Sequence, residues 1–275
     1  MGKSAGNHIL ADETEIISLV RGGDYDRFLA IQLAPKAKRA ALYALTAFHV
    51  EIARVAQTVS EPLIGHIRLA WWREGVEEMV AGITPRNHPV MLALAPLLDE
   101  RSALGVTLMR MLEARSADMD DALVADEAAW LAYCDHTAGA LHRAWALMLD
   151  EDAAEKFVDD VAAQARAYAM VGMVRAIPFM AERGWVCFPK ARLARHALPS
   201  LAPSAALSAF VESIVVEAGL GASTETLGAS LRPLTGVEFI NRYYMRKLQS
   251  CRWNPYQLSR DNLGRVWQIA KLNFL

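Results

Sequence analysis

Few residues of this 275-residue chain have the type and spacing that chemistry needs. One acidic group is Asp118, Asp120 and Asp121 in "ARSADMDD". Carboxylates this close together are the usual protein ligands of Mg²⁺, which takes oxygen donors. Aspartate is also favoured at helix ends, and the cluster reads as a solvated helix terminus. His49, His66, His136 and His142 have neither a His-x-x-x-His partner nor a Glu-x-x-His signature, so they read as packed or exposed side chains and not as zinc ligands. Cys134, Cys187 and Cys251 are odd in number and far apart, with no C-x-x-C pair. They support neither a disulfide framework nor a zinc site and read as buried thiols in a reducing compartment. There is no G-x-S-x-G elbow, G-x-G-x-x-G turn or P-loop, so an acyl nucleophile and a nucleotide site lack local support. A triad, being a constellation in space, stays open.

The elements that would position such residues read as helices. The chain is 53% apolar, with Ala and Leu prominent and few β-branched runs bounded by turn residues. A net charge of -2 gives no electrostatic reason to expect nucleic acid. No apolar run reaches the ~20 residues needed to span a bilayer, and the start "MGKSAGNHILADETEIISLVRGGD" resembles neither a secretory signal nor a transit peptide. The expected place is the cytoplasm, with membrane contact only at a surface. Basic stretches such as "PKARLARH" suit lipid headgroups or an acidic partner, although a solvated helix face is the commoner case.

Pro35 opens a helix in which Leu45, Phe48, Ile52, Val55 and Val59 form one apolar stripe, while Thr46, Val50, Ala53 and Gln57 lie on another side; this helix is expected at the centre. Pro62 opens the next, closed by Gly82. "DEAAWLAYCDHTAGALHRAWALML" and "DAAEKFVDDVAAQARAYAMVGMVRAI" read as two long helices, the second stopped or kinked at Pro178. "AERGWVCFPKARLARHALPSLAPS" reads as a long connection. Two or three helices finish the chain, the last containing "FINRYYMRKLQS" before the Asn254-Pro255 break.

"RFLAIQLAPKAKRAALYALTAF", "ARSADMDD", "LAYCDHTAGALHRAW" and "RAIPFMAERGWVCFP", in that order, resemble the squalene/phytoene synthase family of trans-isoprenyl diphosphate synthases over nearly the whole chain. The resemblance implies an all-α class I terpenoid synthase fold, a single helical bundle around a central cavity. One domain over residues 1–275 is expected, with 1–23 open to being flexible. Active members hold two prenyl diphosphates through Mg²⁺ ions ligated by Asp-rich motifs on two facing helices, with carboxylates three or four residues apart on one face. Alignment through "AF" places the first set on Ala53, Arg54 and Gln57; alignment through the "RG-x-V-x-FP" exit places the second on Ala176, Phe179 and Met180. None is a carboxylate, and Arg54 reverses the charge.

A pseudo-enzyme is therefore expected, with no catalytic residue, no metal and no cofactor, its cavity lined by those six degenerate positions. "AFHVEIARVAQTVSEPLIGHIRLAWWREGVEEM" resembles, through Glu51, Ser60, Glu61, Gly65, Arg68, Trp72, Val76 and Glu77, the branch containing the mitochondrial assembly factor for respiratory complex I. That resemblance implies complex I subunits or assembly intermediates as partners, a location at most peripheral to the inner membrane, and Glu51, Glu61, Arg68 and Trp72 as candidate partner-binding residues. Simpler roles are an i,i+3 surface pair for Glu51 and Arg54 and core positions for both Trp71 and Trp72. Two alternatives remain: a prenyltransferase using Mg²⁺ through the Asp118 cluster, and a binder of an apolar isoprenoid or lipid, since Ala176, Phe179 and Met180 make the old cavity more apolar.

Overall fold

Segments with three- and four-residue apolar spacing bury one face only by packing helix on helix. The computed structural model describes residues 3–101, 103–119, 125–221, 227–258 and 262–272, and these form helices and turns without a strand. The helices are α1 (Lys3–Gly23), α2 (Tyr25–Ile31), α3 (Lys36–Thr58), α4 (Pro62–Val80), α5 (Pro89–Glu100), α6 (Ala103–Ser116), α7 (Glu127–Cys134), α8 (Ala140–Leu149), α9 (Glu151–Lys156), α10 (Val158–Arg175), α11 (Ile177–Glu182), α12 (Lys190–Arg195), α13 (Ala205–Gly221), α14 (Arg232–Ser250) and α15 (Asn262–Lys271). Among the described residues, no helix is long and apolar enough to cross a membrane.

Helix α3 is central, as its two-sided pattern predicts: every residue over 41–50 is buried, and it packs against α1, α2, α4, α5, α6 and α8. Its buried Thr46 is satisfied within the bundle. The hydroxyl donates to the Leu42 carbonyl at 2.7 Å and accepts from Trp145 Nε1 of α8 at 3.2 Å. A second inner helix, α10, packs against α7, α8, α13 and α14.

The sequence signals for ends hold where proline sets them. Pro35 and Pro62 stand at the starts of α3 and α4, and Pro178 sits in the first turn of α11, where the chain kinks out of α10. Lys3–Gly23 forms α1, with Ile16 and Val20 buried. Elsewhere the structure differs. The run over 127–149 is interrupted by a π-helical turn, Asp135–Gly139. Within the stretch read as a connection lies α12, fastened because Arg192 is buried between the carboxylates of Glu127 and Glu217. Helix α15 follows the Asn254-Pro255 break, so α14 is not the last helix.

The "RG-x-V-x-FP" exit has a structural explanation. Gly184 takes a left-handed conformation (φ 67°) that closes α11, and the Trp185 N–H donates back to the Met180 carbonyl at 2.9 Å. The Arg183 guanidinium lies 3.7 Å from the Phe179 ring centroid. Phe188 is fully buried, and Pro189 begins α12.

One carboxylate ties four helices together. Asp26 of α2 accepts at Oδ2 from Tyr168 and Arg175 of α10, each at 3.2 Å, and at Oδ1 from Tyr244 of α14 at 3.1 Å and Arg265 of α15 at 2.8 Å. Burial alone would raise its pKa, but the charge of Arg175 and the bonds from Arg265 and Tyr244 outweigh it and hold the carboxyl below its ordinary value. A folded pKa below the unfolded one adds stability that is complete above pH 3.8 and is lost as pH falls through the folded value. Asp26→Asn leaves two guanidiniums facing a neutral amide and should cost roughly 3–5 kcal/mol. Urea unfolding should show that gap at neutral pH and a smaller one below pH 3.8; a gap independent of pH would show that the carboxylate charge is not what binds the helices.

Candidate functional site

Where α2, α3, α6, α7, α10 and α11 converge they line a partly open cavity of about 570 Å³. Ala53 and Gln57 of α3 line it on one side, Ala176, Phe179 and Met180 on the other. Five of the six degenerate positions thus lie together around one space. Arg54 is the exception: its guanidinium points away, 3.7 Å from Glu51 Oε1, and borders a separate cleft between α3 and α4. The charge reversal therefore does not act inside the cavity.

One end of the cavity is polar. Arg27, the neighbour of the Asp26 hub, enters from α2, with Nη1 2.5 Å from Asp24 Oδ2 and its guanidinium 4.8 Å from the Tyr168 ring centroid. Arg115 enters from α6, donating to Tyr133 Oη at 2.5 Å and to Asp118 Oδ2 at 3.1 Å. Tyr133 in turn donates to Asp118 Oδ1 at 2.7 Å. Asp118 is thus ion-paired beside the cavity, a correction to its reading as a solvated terminus; Asp120 and Asp121 lie outside the described residues. Burial, reinforced by the charges of Arg115 and Arg27, holds the His49 imidazole well below the ordinary histidine value, so it is neutral. Burial raises the Tyr133 and Tyr168 phenols well above theirs.

This donor set does not fit Mg²⁺. Among the described lining residues Asp118 is the sole carboxylate, and its oxygens are already occupied by Arg115 and Tyr133. Two guanidiniums stand nearby, and no group of three His, Cys, Asp or Glu that could hold a metal occurs among the described residues. Cys187 is half-buried at the cavity, its thiol pushed up to about 11 by burial. Cys134 is buried and pushed up to about 12 for the same reason, so both thiols are protonated. Cys251 is likewise half-buried, not buried as expected.

The candidate partner residues separate. Glu51, Arg68 and an edge of Trp72 border the α3–α4 cleft, of about 390 Å³, together with Arg54, Thr58 and Trp71. There Arg68 donates to Thr58 Oγ1 at 2.9 Å. Glu61 is exposed at the start of α4, outside that lining. Trp72 is buried edge-on against Phe48, with ring centroids 5.6 Å apart, so its body is core and cannot present a broad partner contact. Trp71 is the exposed indole at 38%, contrary to a core position for both, and the Arg86 guanidinium lies 5.2 Å from its ring centroid. Gly65 lets α4 approach the turn after α6, because a Cβ there would collide with the Met119 sulfur. Within "PKARLARH", Arg192 is buried in ion pairs and unavailable to a lipid surface.

Arg27, Arg115, Tyr133 and Tyr168 are polar cavity positions that spacing alone does not single out. A partial signal existed in the i,i+3 spacing of Arg115 and Asp118, which form an ion pair.

The family model for squalene/phytoene synthase matches residues 20–221. The chain is similar to NADH dehydrogenase (ubiquinone) complex I, assembly factor 6, of Mus musculus, with 28% identity over 195 residues, 70% of this chain and 57% of that protein. It is 29% identical over 175 residues to the Homo sapiens protein of that name, covering 63% and 51%. It spans about half the length of these relatives. Among solved structures it is similar to a dehydrosqualene synthase in complex with ligand, at TM-score 0.81 and 18% identity, covering 98% of this chain and 97% of that one. It is also similar to squalene synthase HpnC from Alicyclobacillus acidocaldarius, at TM-score 0.72 and 15% identity, covering 90% and 97%. The bundle is the isoprenoid synthase fold.

Gly172 of α10 lines the cavity, and a Cβ built on it meets nothing within 4 Å. Gly172→Ala should therefore stabilise the protein by about 0.5–1 kcal/mol through helix propensity alone, read as a higher urea midpoint at unchanged m-value. A lower midpoint would show that the space is closed.

Proposed function

We propose that this chain, which belongs to the squalene/phytoene synthase family, is a member without synthase chemistry that serves the assembly of respiratory complex I (NADH:quinone oxidoreductase). The observation that carries this reading is the donor set of the cavity. Ionising a prenyl diphosphate requires that the charge developing on the leaving group be neutralised. Here the positions facing one another are Ala53 and Gln57 across from Ala176, Phe179 and Met180, and the one described carboxylate is held by Arg115. The similarity to complex I assembly factors of mouse and human supplies the partner class. The protein would act as a non-enzymatic partner of complex I subunits or assembly intermediates, in the cytoplasm or peripheral to the inner membrane, and would need no cofactor.

A surface for such a partner lies along α4. Leu63, Ile67 and Trp71, four residues apart, share one helix face and are 67%, 61% and 38% exposed. Beside them, Glu51, Arg54 and Arg68 of the α3–α4 cleft form a charged rim. An exposed apolar stripe with a polar rim is the anatomy of a protein interface.

Two measurements test this. Incubation with farnesyl diphosphate and Mg²⁺ should give no condensed product and no Mg²⁺-dependent heat of binding; turnover would refute the reading. In cells of the source organism, tagged protein should co-purify with complex I subunits. Ile67→Glu should abolish that association while changing stability by no more than ~0.5 kcal/mol, as expected for an exposed position. Association unaffected by Ile67→Glu would move the interface away from α4.

A further inference from the structure

The polar end of the cavity carries an unmet hydrogen-bonding demand. His49 is 8% exposed and lines the cavity. Its Nδ1, Arg27 Nη2 and Arg115 Nε are buried without a partner. Buried polar atoms are nearly always satisfied, so two orphaned guanidinium donors beside an imidazole nitrogen that donates in its Nδ1–H tautomer mark a place where an acceptor belongs. Arg115 and Arg27 both push the His49 imidazole toward its neutral form, which shows a positive field at that point. The field is limited, because Arg27 is paired with Asp24 and Arg115 with Asp118. It suits one negative charge, and a diphosphate, with several, would exceed it without a metal.

Away from that end the lining is largely apolar, with Met173, Ala176, Phe179, Met180 and Trp185 along it and Gln57 as a polar exception. About 570 Å³ lies within the ~300–1,000 Å³ of small-molecule pockets. We propose that this cavity is a metal-independent site for a single-chain amphiphile with a carboxylate head, the carboxylate lying among His49, Arg27 and Arg115 and the chain along Met173, Phe179 and Met180. The proposal rests on the non-enzymatic reading above only in taking the cavity as free of diphosphate–Mg²⁺ chemistry. The chain's own contribution is simple: two ion-paired guanidiniums, each with one unpartnered N–H position, and one neutral imidazole receive the head, and thioether and aromatic side chains pack along the tail.

The test uses the full chain, stripped of bound lipid, titrated calorimetrically with oleate below its micellar concentration in EDTA, and again with Mg²⁺ added. Saturable one-to-one binding, equal in both conditions, is expected. Oleyl alcohol, which lacks the charge, should bind at least tenfold more weakly. His49→Phe should weaken oleate at least tenfold with an unchanged melting temperature. Gly172→Phe addresses the other wall: it grows into the open space over α10 and should abolish binding in a folded protein, so the proposal does not hang on one polar variant. Absent or non-saturable binding, or binding indifferent to both variants, would overturn this proposal and leave the assembly role standing. Farnesyl diphosphate binding that requires Mg²⁺ and is turned over would overturn both.

Discussion

Four helices of the bundle meet on the two oxygens of Asp26. Each oxygen accepts one phenol and one guanidinium, so a buried anion that would be costly alone is compensated on every side. The consequence for the cavity is direct. Asp26 and Arg27 are adjacent on α2, so fixing the carboxylate toward α10, α14 and α15 turns the neighbouring guanidinium toward α3 and α10. The polar end of the cavity is therefore set by an ion-pair junction that lies outside it.

The electrostatic content of the cavity follows from its lining. A diphosphate–metal site needs fixed negative charge to gather divalent cations. Here the walls offer alanine, glutamine, phenylalanine and methionine, and the one carboxylate among the described lining residues is paired with Arg115 and Tyr133. What remains is mildly positive at one end and apolar at the other. Packing residues such as Phe48, Ile52 and Val55 belong to the other face of α3 and are buried irrespective of what the cavity holds, so the fold can persist while the site changes its chemistry.

Helix identity, the central place of α3 and the kink at Pro178 were legible because periodicity and proline act locally. The convergence of Ala53, Gln57, Ala176, Phe179 and Met180 was legible only through resemblance, since nothing local draws small and apolar residues together across more than a hundred positions. Arg54 does not join them, because it stands ~100° around α3 from Ala53 and borders the α3–α4 cleft beside Glu51. Trp71 and Trp72 show the limit of propensity, because adjacent positions diverge by ~100° and the sequence does not say which indole meets Phe48. Arg27, His49 and Arg115 were illegible as a group because their meeting depends on three separate helices. Helix α12 was missed because its anchor, Arg192 between Glu127 and Glu217, is a long-range ion pair.

The π-helical turn Asp135–Gly139 works as a phase shifter. A regular helix advances ~100° per residue, and a π turn lodges one extra residue without breaking the rod. Upstream of it Tyr133 addresses the cavity; downstream Trp145 addresses Thr46 at the core of the bundle. Removing one residue from the turn would restore an unbroken α-helix and rotate one half of the rod against the other, so that the cavity wall and the Trp145–Thr46 bond could no longer be satisfied together. The local irregularity is what allows a single rod to serve two differently oriented faces.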